Sequence, residues 1–166
     1  MNRREMLKAT GTLLAGATLF GAEAFAAEPN TTTKPKKALV IGAHPDDPEN
    51  VGGTMLLLRE AGWEVAAVYM TRGEGGIAGK SHAEAAAIRM EESLEACRIL
   101  DVDPIFLTQI DGNSEINKER YAEMREVIAI EQPDLVITHW PIDSHPDHRV
   151  CSMLVYDAWR RLGYSF

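Results

Sequence analysis

The chain has 166 residues, 45% of them hydrophobic, and a formal net charge of −8. That length suits one domain with a sizeable core, and the acidic balance argues against nucleic acid or anionic membrane surfaces as partners, because the protein's own field opposes their phosphates. Cys97 and Cys151 are the two cysteines; both fall in apolar helical patterns, which predicts buried free thiols rather than a disulfide or a cysteine metal site.

Residues 1–26 read as an export segment. Arg3, Arg4 and Lys8 precede a mildly apolar stretch from Ala9 to Phe20, and Ala24-Phe25-Ala26 offers a small-x-small cleavage pattern. The paired arginines resemble a bacterial twin-arginine signal, which implies a Tat translocase and a signal peptidase as transient partners and a periplasmic or secreted product. A membrane anchor is the weaker reading, since a span needs about 20 strongly apolar residues. Residues 27–37, rich in Thr, Lys and Pro, read as a flexible linker, leaving 38–166 as the folded domain.

The domain opens on the apolar run Ala38–Ala43, a buried strand, followed by His44-Pro45-Asp46-Asp47-Pro48-Glu49. Pro48 and Glu49 predict a helix start, with Met55 to Leu58 as its core face and Gly62 as its stop. A second strand is expected over Glu64–Met70, followed by the glycine-rich loop Thr71-Arg72-Gly73-Glu74-Gly75-Gly76, read as a mobile lid. A helix from Ser81 or His82 to Leu100 places Ala86, Met90, Leu94, Cys97 and Leu100 on one face. Ile105–Leu107 reads as a third strand, Asp111-Gly112-Asn113 as a turn, Ile116–Ile130 as a helix closed by Pro133, and Leu135–Thr138 as a fourth strand. His148 to Leu162 is a final amphipathic helix.

Strands alternating with helices predict an α/β domain of three layers, α/β/α, with a Rossmann-like, mostly parallel sheet. Ligands in such folds bind beyond the carboxyl ends of the strands, where strand order reverses. In the order 3-2-1-4, strands one and four are neighbours, and the loops His44–Asp47 and His145–His148 face each other. His44 and Asp47 are three apart, as are His145 and His148, so the two loops offer a His, Asp, His set with a fourth position for water, the count of a catalytic zinc site. Asp46, left between the first pair, would lie near that water as a proton acceptor. Fe2+ or Co2+ would suit the same donors. Arg72 is expected to clamp a substrate oxygen or carboxylate. Arg89 and Glu92 read as a structural pair on one helix, while His82 and His139 carry no ligand spacing. The absence of Gly-x-Gly-x-x-Gly after the first strand argues against a dinucleotide cofactor.

The stretches Ile41–Glu49, Thr71–Gly75 and His145–His148 resemble the PIG-L/LmbE-like family of zinc-dependent N-deacetylases, and the match runs over essentially Lys37 to Leu162. The resemblance implies that His44, Asp47 and His148 hold zinc and that Asp46 is the general base. It implies that His145 stabilises the oxyanion or protonates the leaving amine, with Asp147 orienting His145, and that Arg72 contacts the sugar. The implied reaction cleaves the linear amide of an N-acetylglucosamine-type conjugate to acetate and free amine. The commoner family motif is His-Pro-Asp-Asp-Glu, whereas Pro48 here separates Asp47 from Glu49. Family members usually continue past Leu162, so a C-terminally truncated domain lacking a late strand and part of the pocket is expected. The competing classes are a carbohydrate-binding or regulatory domain with an incomplete site, and a metal phosphoesterase, for which the loops lack the carboxylates of a second metal.

Overall fold

A computed structural model of the chain describes residues 34–164. The expected export segment at 1–26 and most of the linker lie outside the described residues. Four parallel strands, β1 (Lys37–Gly42), β2 (Glu64–Tyr69), β3 (Asp103–Phe106) and β4 (Leu135–Thr138), form one sheet in the order β3-β2-β1-β4. This is the order on which the facing of the two His-Pro-Asp loops depends. β1 begins one residue before the expected boundary. Lys37 is tied at both ends: its backbone N–H donates to Asp134, and its ammonium reaches Glu131 at 2.7 Å.

Side-chain alternation along β1 and β2 divides the core in two. Leu39, Ile41, Ala66 and Val68 pack with Met124, Ile128, Leu154, Val155 and Ala158, which belong to helices α3 (Lys118–Glu131) and α4 (Pro146–Arg161). Ala38, Val40, Val65, Ala67 and Tyr69 pack with Met55 and Cys97, from α1 (Gly52–Glu60) and α2 (His82–Leu100). Both faces of the sheet are therefore covered. No helix among the described residues is long and apolar enough to cross a membrane.

Several boundaries and faces differ from the sequence expectation. Pro48–Val51 is a 3-10 turn, and the α-helix proper starts at Gly52. Asp47, which precedes the turn, makes no capping bond because its carboxylate is turned toward the histidines. Of the core face expected on α1, Met55 to Leu58, only Met55 is fully buried; Leu56 and Leu57 are 42% and 67% exposed. On α2 the inward row is Ala85, Arg89, Ser93, Cys97 rather than the larger residues one position away, and Leu94 is exposed. Apart from Arg89, the side chains of that row are small. A capping box between Ser81 and Glu84 starts α2, a device worth about 1 kcal/mol. α4 begins at Pro146, two residues early, and its inward row runs Asp147, Cys151, Leu154, Val155, Ala158, while Met153 is exposed. β3 lies over Asp103–Phe106, and α3 starts at Lys118 behind Asn117, whose side chain accepts the N–H of Arg120.

Candidate metal centre

Hydrogen bonds past the ends of β1 and β2 extend the sheet into the site. Met70 N–H donates to Gly42 and Thr71 N–H to Ala43, so the loop from His44 and the loop from Arg72 leave the sheet side by side. The His44 loop folds back tightly: a Cβ on Gly42 would lie 2.5 Å from Asp47 Cβ and 2.6 Å from Pro48 Cδ. Asp47 N–H donates to the His44 carbonyl, and His44 N–H donates to Asp47 Oδ2 at 2.7 Å. Across the switch between β1 and β4, His145 is the N-cap of α4, which places Asp147 and His148 in its first turn.

The two loops meet at Asp47. One of its oxygens is 3.2 Å from His44 Nδ1 and the other 3.4 Å from His148 Nε2. Each imidazole turns its remaining nitrogen to an outer carboxylate. His44 Nε2 is 3.0 Å from Asp147 Oδ2 and 3.2 Å from Asp111 Oδ1, and His148 Nδ1 is 3.2 Å from Asp143 Oδ1. The Asp147 carboxylate behind His44 favours a proton on Nε2, leaving the Nδ1 lone pair aimed at an anionic oxygen, whereas His148 Nδ1 faces Asp143 without making a hydrogen bond. That arrangement is repulsive unless a proton or a metal cation lies between the ring and Asp47, and the donor set fits a divalent metal.

The metal-sized groupings of donor atoms overlap on these residues: His44 with His145 and His148, Asp47 with His139 and His148, and His44 with Asp111 and Asp147. The His44, Asp47, His148 set anticipated from the motifs is spread over two of these groupings, one holding His44 and the other Asp47, which share His148. His139, whose spacing marked it as no ligand, stacks on His148 with ring centroids 3.9 Å apart. Its Nε2 also lies 3.3 Å from Asp47 Oδ2, yet the same nitrogen accepts the buried Ala43 N–H at 2.9 Å. A lone pair spent on that backbone donor cannot also bind a metal.

Electrostatics around the centre follow from its carboxylates. Burial alone would lower the pKa of His44, but its contacts with Asp47 and Asp147 and the charge of Asp111 push it up to about 9. A field that holds a proton so firmly also attracts a dication in its place. Burial opposes ionisation of Asp47, but contacts with His139 and His44 hold its carboxyl well below the usual range. Burial likewise opposes ionisation of Asp147, which the Gly112 N–H and His44 nonetheless keep low.

A cavity of about 440 Å³ opens above these groups, lined by His44, Asp46, Asp47, Arg89, Asp111, His145 and His148 with glycines of the Arg72 loop. Three of the expected site residues are placed as follows. The Asp147 carboxylate faces His44 and accepts the Gly112 N–H, and it is the backbone N–H of Asp147 that meets His145 Nδ1, at 3.2 Å. That bond leaves the ring hydrogen of neutral His145 on Nε2, so the residue is a donor. Asp46 lines the cavity, but its carboxylate pairs with Arg89 at 2.5 Å. Arg72 is exposed and does not line the cavity. The glycine loop is pinned rather than free: Gly75 N–H donates to Asp111, Gly76 N–H to the Gly73 carbonyl, and the buried Glu74 accepts from Arg72 and Asp111 N–H groups. Glu49, displaced by Pro48, accepts the Tyr69 hydroxyl at 2.6 Å and ties the turn to β2.

Asp111, Asp143 and Arg89 were not recognised as site residues from the sequence. Asp111 lay in a segment read as a turn, Asp143 two residues before the second motif, and Arg89 in a segment read as a helix pair.

Residues 39–159 match the family described as GlcNAc-PI de-N-acetylase (PIG-L). The chain belongs to the PIG-L family. It is 31% identical to an uncharacterized deacetylase of Escherichia coli, over 78% of this chain and 69% of that one. N,N'-diacetylchitobiose deacetylase from Pyrococcus horikoshii superposes with a TM-score of 0.71 at 36% identity, over 75% of this chain and 49% of that one. The 4-carboxy-2-hydroxymuconate hydratase of Pseudomonas putida superposes at 0.69 with 27% identity, over 74% and 55%. The chain spans about half the length of these two solved relatives.

Proposed function

We propose that this PIG-L domain is a zinc-dependent hydrolase that removes the acetyl group from an N-acetylglucosamine-type amino sugar or conjugate. The observation that carries the reading is the meeting of the two His-Pro-Asp loops on Asp47, with each histidine backed by a carboxylate. His44, Asp47 and His148 would hold the metal, zinc or another divalent ion such as Fe2+ or Co2+. Bound there, the metal supplies Lewis-acid polarisation of the amide carbonyl and makes a nearby water more acidic. Asp46, at the cavity wall, takes a proton from the attacking water. His145 presents its Nε2 hydrogen to the oxygen that gains charge and then to the departing amine. Asp147 keeps His44 in the tautomer that leaves Nδ1 free. Arg72, exposed beside the cavity mouth, is assigned to substrate lying beyond the cavity. The leader-like residues 1–26 support export through the Tat translocase, followed by signal peptidase cleavage.

The test is metal analysis coupled to acetate release across a panel of N-acetylglucosamine derivatives. Asp46→Asn is expected to keep its metal and lose roughly 10²–10⁴-fold in turnover, the usual share of a general base. His148→Ala is expected to lose the metal itself. Turnover surviving in Asp46→Asn would remove the base assignment. A related hydratase also carries this fold, so water addition to an unsaturated acid without acetate release would redirect the reading to that chemistry.

A further inference from the structure

Arg89 is the feature of the site that the reaction outlined above leaves unused. It stands on the inward row of α2, where its neighbours Ala85, Ser93 and Cys97 are small and buried. Its guanidinium does form the expected pair with Glu92, at 2.9 Å. The other nitrogen, Nη2, reaches across to the first motif, donating to the Pro45 carbonyl and to Asp46 Oδ2. The arginine side chain is 22% exposed, whereas its two acidic partners are more than half exposed. Its Nε is buried without a hydrogen-bond partner, so the cation is partly desolvated at this contact.

The glycine loop is shaped around that side chain. A Cβ on Gly73, whose φ is +72, would lie 3.1 Å from both Cβ and Cγ of Arg89 and 3.2 Å from Pro45 Cδ. A Cβ on Gly76 would lie 3.5 Å from Arg89 Nε. The missing side chains leave the passage through which the arginine reaches the His44 loop. At the far end, Asp46 adopts φ +108, a conformation costly for a residue with a Cβ. Arg89 grips the carbonyl before that residue and the carboxylate on it, so both bonds act on the strained link. Only Oδ2 of Asp46 is engaged; Oδ1 makes no hydrogen bond among the described residues.

We infer that Arg89 is the positioning residue for Asp46: it holds the strained Pro45–Asp46 link and one carboxylate oxygen, leaving the other oxygen for the cavity. This rests on the deacetylase reading, which makes Asp46 the base. The test uses the full zinc-loaded chain in a double-mutant cycle of Arg89→Met, Arg89→Lys, Asp46→Asn and Arg89→Met with Asp46→Asn. Arg89→Met is expected to lower kcat at least about 30-fold with KM within about threefold and zinc content unchanged. On top of Asp46→Asn it should cost less than about threefold, because a residue acting through Asp46 has nothing left to position. Added guanidinium ion should recover part of the rate in Arg89→Met and none in the double variant. In metal-free protein, exchange of the His44 and Asp47 amides should speed up about tenfold or more in Arg89→Met and much less in Arg89→Lys. A raised KM with kcat intact would make Arg89 a substrate contact and overturn the inference, as would equal losses in both backgrounds of the cycle. Unchanged amide exchange would overturn the hold on the loop. If the wild-type chain releases no acetate, the deacetylase reading falls, and amide exchange alone decides whether Arg89 anchors Asp46.

Discussion

His44 shows how one side chain is placed by three parts of the chain. Its Nδ1 meets Asp47 from its own loop, and its Nε2 meets Asp147 from α4 and Asp111 from the segment after β3. The Asp147 contact is the one that fixes the ring, since that carboxylate is 2% exposed and also accepts the Gly112 N–H. Asp147→Ala is therefore expected to weaken metal binding about 10–100-fold, the usual effect of removing a carboxylate behind a ligating histidine; chelator competition measures it. Unaltered affinity would show that His44 is oriented by Asp111 alone. His44, Asp47, His145 and His148 were legible because each pair lies within one turn of chain, at a spacing that local geometry can interpret. Asp111, Asp143 and Arg89 act on the site across loops or from a helix, and nothing in their local spacing distinguishes them from turn or surface residues. The direction of the Asp147 carboxylate was illegible for a related reason. The side chain belongs to the inward row of α4, which points it at β1 instead of back at its neighbour His145.

The order of elements could be read because apolar runs of four to six residues alternate with longer helical patterns, and only a parallel sheet accommodates that alternation in a short chain. Helix faces were harder. On α2 the inward row of Ala85, Arg89, Ser93 and Cys97 carries little apolar periodicity, while Ile88 and Ile99 on the same helix are exposed. The junction of β1 with the His44 loop shows what an element-level constraint costs to break. Gly42 has ordinary strand conformation, so its necessity comes from contact: its added Cβ would meet Asp47 Cβ and Pro48 Cδ, neither of which is the free end of a flexible chain. Gly42→Ala is expected to destabilise the fold by about 1–3 kcal/mol in urea denaturation, as overpacking does. The same variant should lose metal, because relief of the clash moves Asp47 away from His148. Wild-type stability with full metal occupancy would mean that the turn at Pro48 shifts without cost.

At the scale of the whole molecule, the sheet separates the two cysteines. Cys97 packs with Val40, Met55 and Tyr69 on one face, and Cys151 packs with Ile41 and Leu154 on the other. Both are buried free thiols, as their apolar settings in the sequence suggested. A disulfide needs Cα atoms within about 7 Å, which residues in layers on opposite sides of a sheet do not reach. Burial also pushes the Cys151 thiol up to about 12, so little thiolate forms at neutral pH to react with an oxidant. Such a thiol is protected in a reducing or an oxidising compartment alike, so the cysteines do not bear on the export proposed from residues 1–26. Replacing Arg3 and Arg4 together by lysine preserves the charge of the leader but removes the pair that a twin-arginine receptor reads. Cell fractionation is expected to find that variant retained inside, while the unaltered chain leaves the cytoplasm. Thiol titration of the exported protein should detect two free thiols per chain after denaturation and essentially none before. Equal export of the lysine variant would exclude the twin-arginine route. A loss of titratable thiols on export would show that the compartment reaches the cysteines through an opened state, which burial on both faces of the sheet makes rare.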